Sequence, residues 1–169
     1  MADLAVHGGT PALRDLGEFP AWPQPDEAGE AALVEVYRSG RWGSTAGSVV
    51  ADFEQEFARY QDSRHGTAVV NGTLAIVAAL RACGVGPGDE VIVPPYTFIA
   101  TASAALFLGA VPVFADVDPQ THLLDPAAAA AAITERTRAI IPVHLAGRAA
   151  DMDAFSELGR SRSITVVED

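Results

Sequence analysis

The most informative absence in this sequence is lysine. The 169 residues carry eleven positive side chains, all of them arginine, and 22 acids, so the formal net charge is −11. An acidic chain without a basic stripe is poorly suited to nucleic acid, whose binding depends on cationic contacts with phosphates. Without lysine, the chain also has no side-chain amine that could form a Schiff base with a carbonyl compound. We therefore expect a small-molecule partner.

Cysteine and long apolar runs are also scarce. Cys83 is the only cysteine, which excludes a disulfide within the chain and a cysteine-based metal cage, and we expect it to be buried at a helix end. No apolar run approaches the roughly 20 residues that span a bilayer. The first residues include an early acid, Asp3, and lack the apolar core of a secretory signal. The expected location is the cytoplasm.

The remaining composition, 49% hydrophobic and 20% charged, is typical of a globular domain. Glycine and proline are frequent in residues 1–25, which predicts an extended arm whose Phe19 and Trp22 lie on another surface. Asp26 is expected to cap a helix that ends at Ser39-Gly40, and a second helix begins near Ser48. The apolar residues of this second helix recur every three or four positions and predict a stripe that faces a core; they are Val49, Val50, Phe53, Phe57 and Tyr60.

From residue 66 onward, short apolar runs alternate with helical stretches. The predicted strands are 67–70, 90–93, 111–114, 139–143 and 164–167, and the predicted helices are about 73–83, 97–108, 126–134 and 151–160. Near-continuous apolar strands between helices indicate the α/β class, with a mostly parallel sheet flanked by helices. In such sheets a ligand binds beyond the carboxyl ends of the strands, so the residues after each strand are the candidates.

Two of these strand ends predict contacts with a flat, phosphorylated ligand. Asn71-Gly72-Thr73 opens a helix, whose free N–H groups can bind phosphate close to Gly72 and the Thr73 hydroxyl. Taken alone, the motif favours Thr73 as a plain helix cap. Phe98 follows the next strand and could stack on a heterocycle, or it could pack into the domain core.

The other strand ends carry acids and a histidine. Asp116-Val117-Asp118-Pro119 suggests paired acids or a cation site, but Asp-Pro turns commonly use the carboxylate for loop N–H groups, and no metal is assigned. His144 could serve as an acid or base, contact a substrate, or order its loop through a hydrogen bond. Asp169 could hold the ring nitrogen of pyridoxal phosphate protonated, or it could be a solvent-exposed acid.

These motifs together resemble the DegT/DnrJ/StrS family of pyridoxal-phosphate-dependent aminotransferases, over nearly the whole chain. The similar segments are 70–73, 86–94, 96–98, 116–119, 142–145 and 167–169. The resemblance implies that residues 26–169 form the N-terminal part of the large, cofactor-binding domain of the aspartate-aminotransferase fold, after the arm of residues 1–25. It also implies that Gly72 and Thr73 bind the cofactor phosphate, that Phe98 stacks on the ring, and that Asp169 pairs with the pyridine nitrogen. Trp42, within Arg41–Ser44, and His144 are implied to approach the substrate.

The segments 19–24 and 144–147 are most similar to the branch with aminocyclitol aminotransferases and 3-amino-5-hydroxybenzoate synthases. This branch implies amino transfer from glutamate or glutamine to a keto-sugar or cyclic ketone, in an antibiotic or cell-surface sugar pathway, by a homodimer. The family's Schiff-base lysine and smaller C-terminal domain lie beyond residue 169, so we expect a truncated chain that is inactive alone. The alternatives are a non-catalytic phosphate-binding module and a sugar dehydratase that uses the same cofactor.

Overall fold

The structure is a computed structural model that describes residues 4–11 and 22–169. They divide into two compact units, Met1–Arg64 and His65–Asp169. Phe19 and most of the predicted arm lie outside the described residues, and Trp22 is 92% exposed. Ala5–His7 forms a 3-10 turn rather than an extended segment.

The first unit contains helices α1 (Glu27–Ser39) and α2 (Val49–Tyr60). The predicted start and end of α1 are confirmed, because the Asp26 carboxylate accepts a hydrogen bond from the Gly29 N–H at 2.7 Å and Gly40 ends the helix with a left-handed φ of 68°. These two signals are local to the sequence, which explains why they could be recognised without tertiary information.

The apolar stripe of α2 does not face a core, so that expectation is wrong for the described chain. Phe53 is 55% exposed and Phe57 is 48% exposed, and their rings stack on each other with centroids 5.6 Å apart. Among the residues of α2, only Ala58 is buried. Sequence spacing identifies an apolar face, but it does not say which surface covers that face.

The second unit is a parallel sheet with helices on both faces, which confirms the predicted α/β class. Its elements are α3 (Gly72–Ala82), β1 (Glu90–Val93), α4 (Ala100–Phe107), β2 (Val111–Phe114), α5 (Pro126–Ala131), β3 (Thr137–Ile140), α6 (Met152–Arg162) and β4 (Thr165–Val166). The strand order is β2-β1-β3-β4, and every neighbouring pair is parallel.

Alternating side chains of the strands divide the core into two layers. Val91 and Val93 pack with α3 and α4 on one face, whereas Ile92 packs with α5 and α6 on the other. All three side chains are completely buried, so β1 is covered on both faces, as its continuous apolar run predicts. This central strand fixes the positions of the loops that follow it.

Two predictions about individual segments are wrong. Residues 67–70 form no strand, and Val70 is 79% exposed, so its β-branched composition is not matched by the burial that holds a strand in a sheet. Cys83 is exposed, because it caps the solvent-facing end of α3. The other strands lie within two or three residues of their predicted bounds. In the part of the chain that the structure describes, no helix has the length and apolar character needed to cross a membrane.

The strand order changes direction between β1 and β3. The chain leaves β1 for β2 on one side and returns to β3 on the other, so the loops after β1 and β3 diverge. Parallel α/β sheets bind their ligands at such a point, beyond the carboxyl ends of the strands. Phe98 lies in the loop after β1 and His144 in the loop after β3. Asp169 follows β4 and lies beside the loop that contains His144.

Candidate functional site at the carboxyl edge of the sheet

Asp169 is held at the carboxyl edge of the sheet by its backbone. Its N–H donates to the Pro142 carbonyl at 3.0 Å, and its own carbonyl accepts from the His144 N–H at 2.8 Å. These bonds continue the parallel pairing of β3 and β4 past the ends of the regular strands. The backbone from which the Asp169 side chain projects is therefore held by the sheet rather than by a flexible loop.

The Asp169 carboxylate is bound through one oxygen by Thr101. The Thr101 hydroxyl donates to Oδ2 at 2.5 Å, while Oδ1 has no hydrogen-bond partner among the described residues. Thr101 is completely buried in the first turn of α4, and its Oγ1 lies 2.9 Å from Oγ1 of Thr97. Thr101 is not among the residues that the sequence patterns predict for the site. The four-residue spacing of Thr97 and Thr101 indicates that these two side chains can meet, but it does not indicate the contact with Asp169.

Phe98 lies in the loop after β1 and is 76% exposed. The alternative reading, that it packs into the domain core, is therefore wrong for this chain. The neighbouring Tyr96 is 58% exposed, and its ring meets the His122 ring edge-on with centroids 5.8 Å apart. The exposed Phe98 ring, in the loop after β1, is available to stack on a planar ligand.

The start of α3 lies at the same edge. α3 leads through a short loop to the start of β1 and packs against that strand, so helix and strand run in opposite directions. Asn71 caps α3 by accepting from the Leu74 N–H at 3.0 Å, which leaves the N–H groups of Gly72 and Thr73 without partners among the described residues. A Cβ added at Gly72 would meet no atom within 4 Å, so the approach to these donors is open.

Both ring nitrogens of His144 are engaged. Nδ1 accepts from the Ala150 N–H at 3.1 Å, so a neutral ring carries its proton on Nε2, which lies 2.9 Å from Oε2 of Glu168. The enclosed turn includes Ala146, which has a left-handed φ of 53°. These contacts favour the loop-ordering role for His144 over a substrate contact through a ring nitrogen.

Trp42 belongs to the first unit. Its Nε1 donates to the Tyr37 carbonyl at 3.0 Å, and the two rings stack with centroids 5.7 Å apart. The only polar atom of the Trp42 side chain, Nε1, is therefore engaged in a hydrogen bond within the first unit. Its ring is 68% exposed, so an apolar face remains for a ligand or another surface.

The acidic loop after β2 has the geometry of a turn. Asp118 Oδ1 accepts from the N–H groups of Thr121 and Gln120 at 2.7 and 2.9 Å, and Asp116 Oδ1 accepts from the Val117 N–H at 2.8 Å. The bonds from Thr121, then that from Gln120 and the charge of Arg148, lower the pKa of Asp118 from its ordinary value despite some desolvation. Within residues 4–11 and 22–169, no group of three or more His, Cys, Asp or Glu side chains is placed to hold a metal ion.

Comparison with known proteins shows the family of this chain. Residues 23–169 match the model of the DegT/DnrJ/EryC1/StrS aminotransferase family. The chain is 49% identical over 156 residues to 3-amino-5-hydroxybenzoate synthase of Amycolatopsis mediterranei, covering 92% of this chain and 40% of that protein. It is 45% identical over 171 residues to L-glutamine:2-deoxy-scyllo-inosose aminotransferase of Streptomyces lividus, covering 98% of this chain and 40% of that protein.

A solved structure shows the same fold. The chain is similar to NtdA from Bacillus subtilis, crystallised with bound cofactor pyridoxamine phosphate, with a TM-score of 0.82 and 35% identity. That match covers 92% of this chain and 37% of the other. The chain thus spans about 40% of the length of the curated relatives it matches.

Proposed function

Because the chain belongs to the DegT/DnrJ/EryC1/StrS aminotransferase family, we propose that it forms the cofactor-binding part of a pyridoxal-phosphate-dependent aminotransferase. The proposed reaction moves an amino group from glutamine or glutamate to a keto-cyclitol or keto-sugar. One relative is named for L-glutamine and 2-deoxy-scyllo-inosose, and another for 3-amino-5-hydroxybenzoate, whose amino group is carried on a six-membered carbon ring. These names support both the donor and the cyclic acceptor.

The start of α3 fits the cofactor phosphate. Two backbone N–H groups, at Gly72 and Thr73, and the Thr73 hydroxyl have no partner among the described residues, and the space beside Gly72 is open. The amino end of a helix carries partial positive charge, which favours a doubly charged phosphate. Asn71 fixes the helix end without using these donors. The phosphate would therefore satisfy donors that the protein itself leaves free.

The observation that carries the proposal is the fixed carboxylate of Asp169. Its Oδ2 accepts from Thr101 at 2.5 Å, while Oδ1 is without a partner in the described chain. A negative charge beside a pyridine nitrogen favours the protonated nitrogen. Phe98, exposed on the loop after β1, can fix the plane of the ring by stacking.

These residues account for part of the chemistry. When bound, pyridoxal phosphate supplies an electron-withdrawing ring that delocalises charge during amino transfer. In this chain Asp169 holds a proton at the ring nitrogen, Thr73 and the α3 N–H groups hold the phosphate, and Phe98 sets the ring orientation. None of the 169 residues is lysine, so these side chains offer no covalent attachment and no lysine to relay a proton.

The proposed active assembly is a homodimer. Leu33 and Tyr37 of α1 are 75% and 72% exposed, and the stacked Phe53 and Phe57 of α2 are about half exposed. Apolar surface of this extent on short helices is typical of an interface. Sedimentation of the assembled enzyme should give twice the protomer mass, and a monomeric active enzyme would contradict this part of the proposal.

The test joins residues 1–169 to the part of the 3-amino-5-hydroxybenzoate synthase that this chain does not cover. The hybrid receives pyridoxal phosphate, glutamine labelled with ¹⁵N at its amino group, and 2-deoxy-scyllo-inosose, and mass spectrometry follows the label. We expect label in the cyclitol with the hybrid and none with the unjoined chain. Transfer by the unjoined chain, or a hybrid whose Asp169→Asn variant is equally active, would overturn the proposal.

A further inference from the structure

Two linked hydroxyls lie beside Asp169 of the candidate cofactor site, one on the buried Thr101 and one on the partly buried Thr97. Thr101 is completely buried, 68 residues before Asp169 in the sequence, and its Oγ1 contacts both Thr97 and Asp169. A helical threonine commonly bonds the carbonyl four residues earlier. Here the hydroxyl is instead directed to a carboxylate on another element.

The proton positions in this pair follow from the chemistry of the groups. An ionised carboxylate only accepts hydrogen bonds, so the single hydroxyl proton of Thr101 is donated to Asp169 Oδ2. Thr101 is then an acceptor toward Thr97, which must donate across the 2.9 Å contact. The bonds therefore run in one direction, from Thr97 through Thr101 to Asp169, and bonds arranged this way strengthen one another.

We propose that Thr101 is a positioning residue, which binds Oδ2 of Asp169 so that Oδ1 is presented to the protonated ring nitrogen of the cofactor. This inference rests on the proposed function. An Asp side chain has two rotatable bonds, and the sheet fixes only the backbone of Asp169. The Thr101 hydroxyl supplies the remaining constraint from a buried, helical position. A preorganised partner saves the ordering cost that binding would otherwise carry.

The test measures two properties of this chain with pyridoxamine 5'-phosphate, which needs no lysine to bind. The first is its dissociation constant, and the second is the titration midpoint of its ring nitrogen, followed by the ¹⁵N chemical shift of ring-labelled compound. Thr101→Val removes the hydroxyl at almost constant shape. We expect about tenfold weaker binding, as for the loss of one hydrogen bond to a charged group, and a midpoint displaced toward that of free pyridoxamine phosphate.

Controls distinguish positioning from a general structural role. Thr101→Ser keeps the hydroxyl and should restore both values even if the missing methyl group lowers the melting temperature. Thr101→Cys keeps the size with a weak S–H donor, should give intermediate values, and serves as the test variant if Thr101→Val does not fold. In a chain that already carries Asp169→Asn, Thr101→Val should change neither the dissociation constant nor the titration midpoint of the ring nitrogen. This lack of a further effect is what a double-mutant cycle gives for two residues that act as a pair.

Two results would overturn the inference. The first is a Thr101→Val chain that binds and titrates like the wild type. The second is a Thr101→Val chain in which the titration midpoint of the ring nitrogen rises above the wild-type value. That result would mean that the hydroxyl only withdraws negative charge from Asp169 and does not position it. Failure of the proposed function is distinguishable: in that case the wild-type chain does not bind pyridoxamine phosphate, or Asp169→Asn leaves the ring-nitrogen midpoint unchanged.

Discussion

The Nδ1 atom of His144 accepts a hydrogen bond from the backbone N–H of Ala150, 3.1 Å away. Ala150 is buried, with 5% of its surface exposed, so its N–H has little access to water. The bond closes the turn after β3 and lies next to Asp169, whose carbonyl accepts from the His144 N–H. His144 thus connects the loop to the strand end that carries the candidate site.

His144→Ala should lower the free energy of unfolding by about 1–3 kcal/mol, because it leaves the buried Ala150 N–H without an acceptor. Hydrogen exchange at Ala150, measured by NMR, should accelerate. Glu168→Gln is the matched control, since a glutamine oxygen can still accept from Nε2 of His144. If Ala150 exchanges at the wild-type rate in His144→Ala, the loop-ordering role is wrong.

Asn71→Asp should separate the cap of α3 from its phosphate site. Asp caps a helix as well as Asn does, so the melting temperature should be unchanged or slightly higher. The added negative charge should weaken binding of pyridoxamine phosphate about tenfold through repulsion of the phosphate. Calorimetric titration with pyridoxamine, which lacks the phosphate, provides the control.

If Asn71→Asp weakened the binding of pyridoxamine phosphate and of pyridoxamine equally, the added charge would not be acting on the phosphate. That result would contradict the proposed phosphate site. Asn71→Ala offers a second comparison, because it removes the contact with the Leu74 N–H without adding charge. It should cost about 1 kcal/mol of stability, as loss of a helix cap does. Urea unfolding measures that loss.

Phe98→Ala should weaken binding of pyridoxamine phosphate and leave the fold intact. The side chain is 76% exposed, so the free energy of unfolding should change by no more than about 0.5 kcal/mol. Loss of ring stacking, about 0.5–1.5 kcal/mol, should raise the dissociation constant roughly two- to tenfold. Phe107→Ala is the control, because Phe107 is 69% exposed at the opposite end of α4. Equal effects of the two substitutions would exclude a stacking role for Phe98.

Glu90 should make the fold sensitive to acid. Its buried carboxylate accepts hydrogen bonds from the Thr134 hydroxyl and from Arg136, and these bonds, led by that from Thr134, lower its pKa from the ordinary 4.5 despite desolvation. A lowered pKa in the folded state contributes stability that is present above 4.5 and is lost as the pH falls through the folded-state value.

The Glu90→Gln chain should therefore lose less stability than the wild type when the pH is lowered from about 6 to about 3. Urea midpoints across this range measure the difference. The control is Glu157→Gln. Glu157 forms an ion pair with Arg160 in which both side chains are exposed, so the pair should contribute little to the free energy of unfolding. Parallel stability curves for wild type and Glu90→Gln would contradict the account of Glu90.

The parts of the fold that were predictable depend on local patterns. Asp26 and Gly40 mark the two ends of α1, because each has the chemistry of a helix cap. The continuous apolar run around Ile92 marks a strand that is covered on both faces. Ligands bind beyond the carboxyl ends of parallel strands, and this rule selects Phe98 and Asp169 from the sequence. Each of these inferences needs only neighbouring residues and the class of the fold.

The parts that were missed depend on distant partners. Thr101 contacts a residue 68 positions away, and no spacing within α4 indicates that contact. Val70 has the composition of a strand residue but is 79% exposed, and Phe57 belongs to an apolar stripe that is not buried in the described chain. Composition and periodicity describe what a segment can pack against, whereas burial depends on which surfaces are actually brought to it.

The central claim is that Asp169 holds a proton on the ring nitrogen of a pyridoxal-type cofactor. The most direct measurement is the ¹⁵N chemical shift of ring-labelled pyridoxamine phosphate, titrated with alkali while bound to the wild-type chain and to Asp169→Asn. The account predicts a nitrogen that stays protonated to higher pH than in free pyridoxamine phosphate, and loss of that difference in the Asn variant. A bound ring nitrogen that titrates identically in both chains would contradict it.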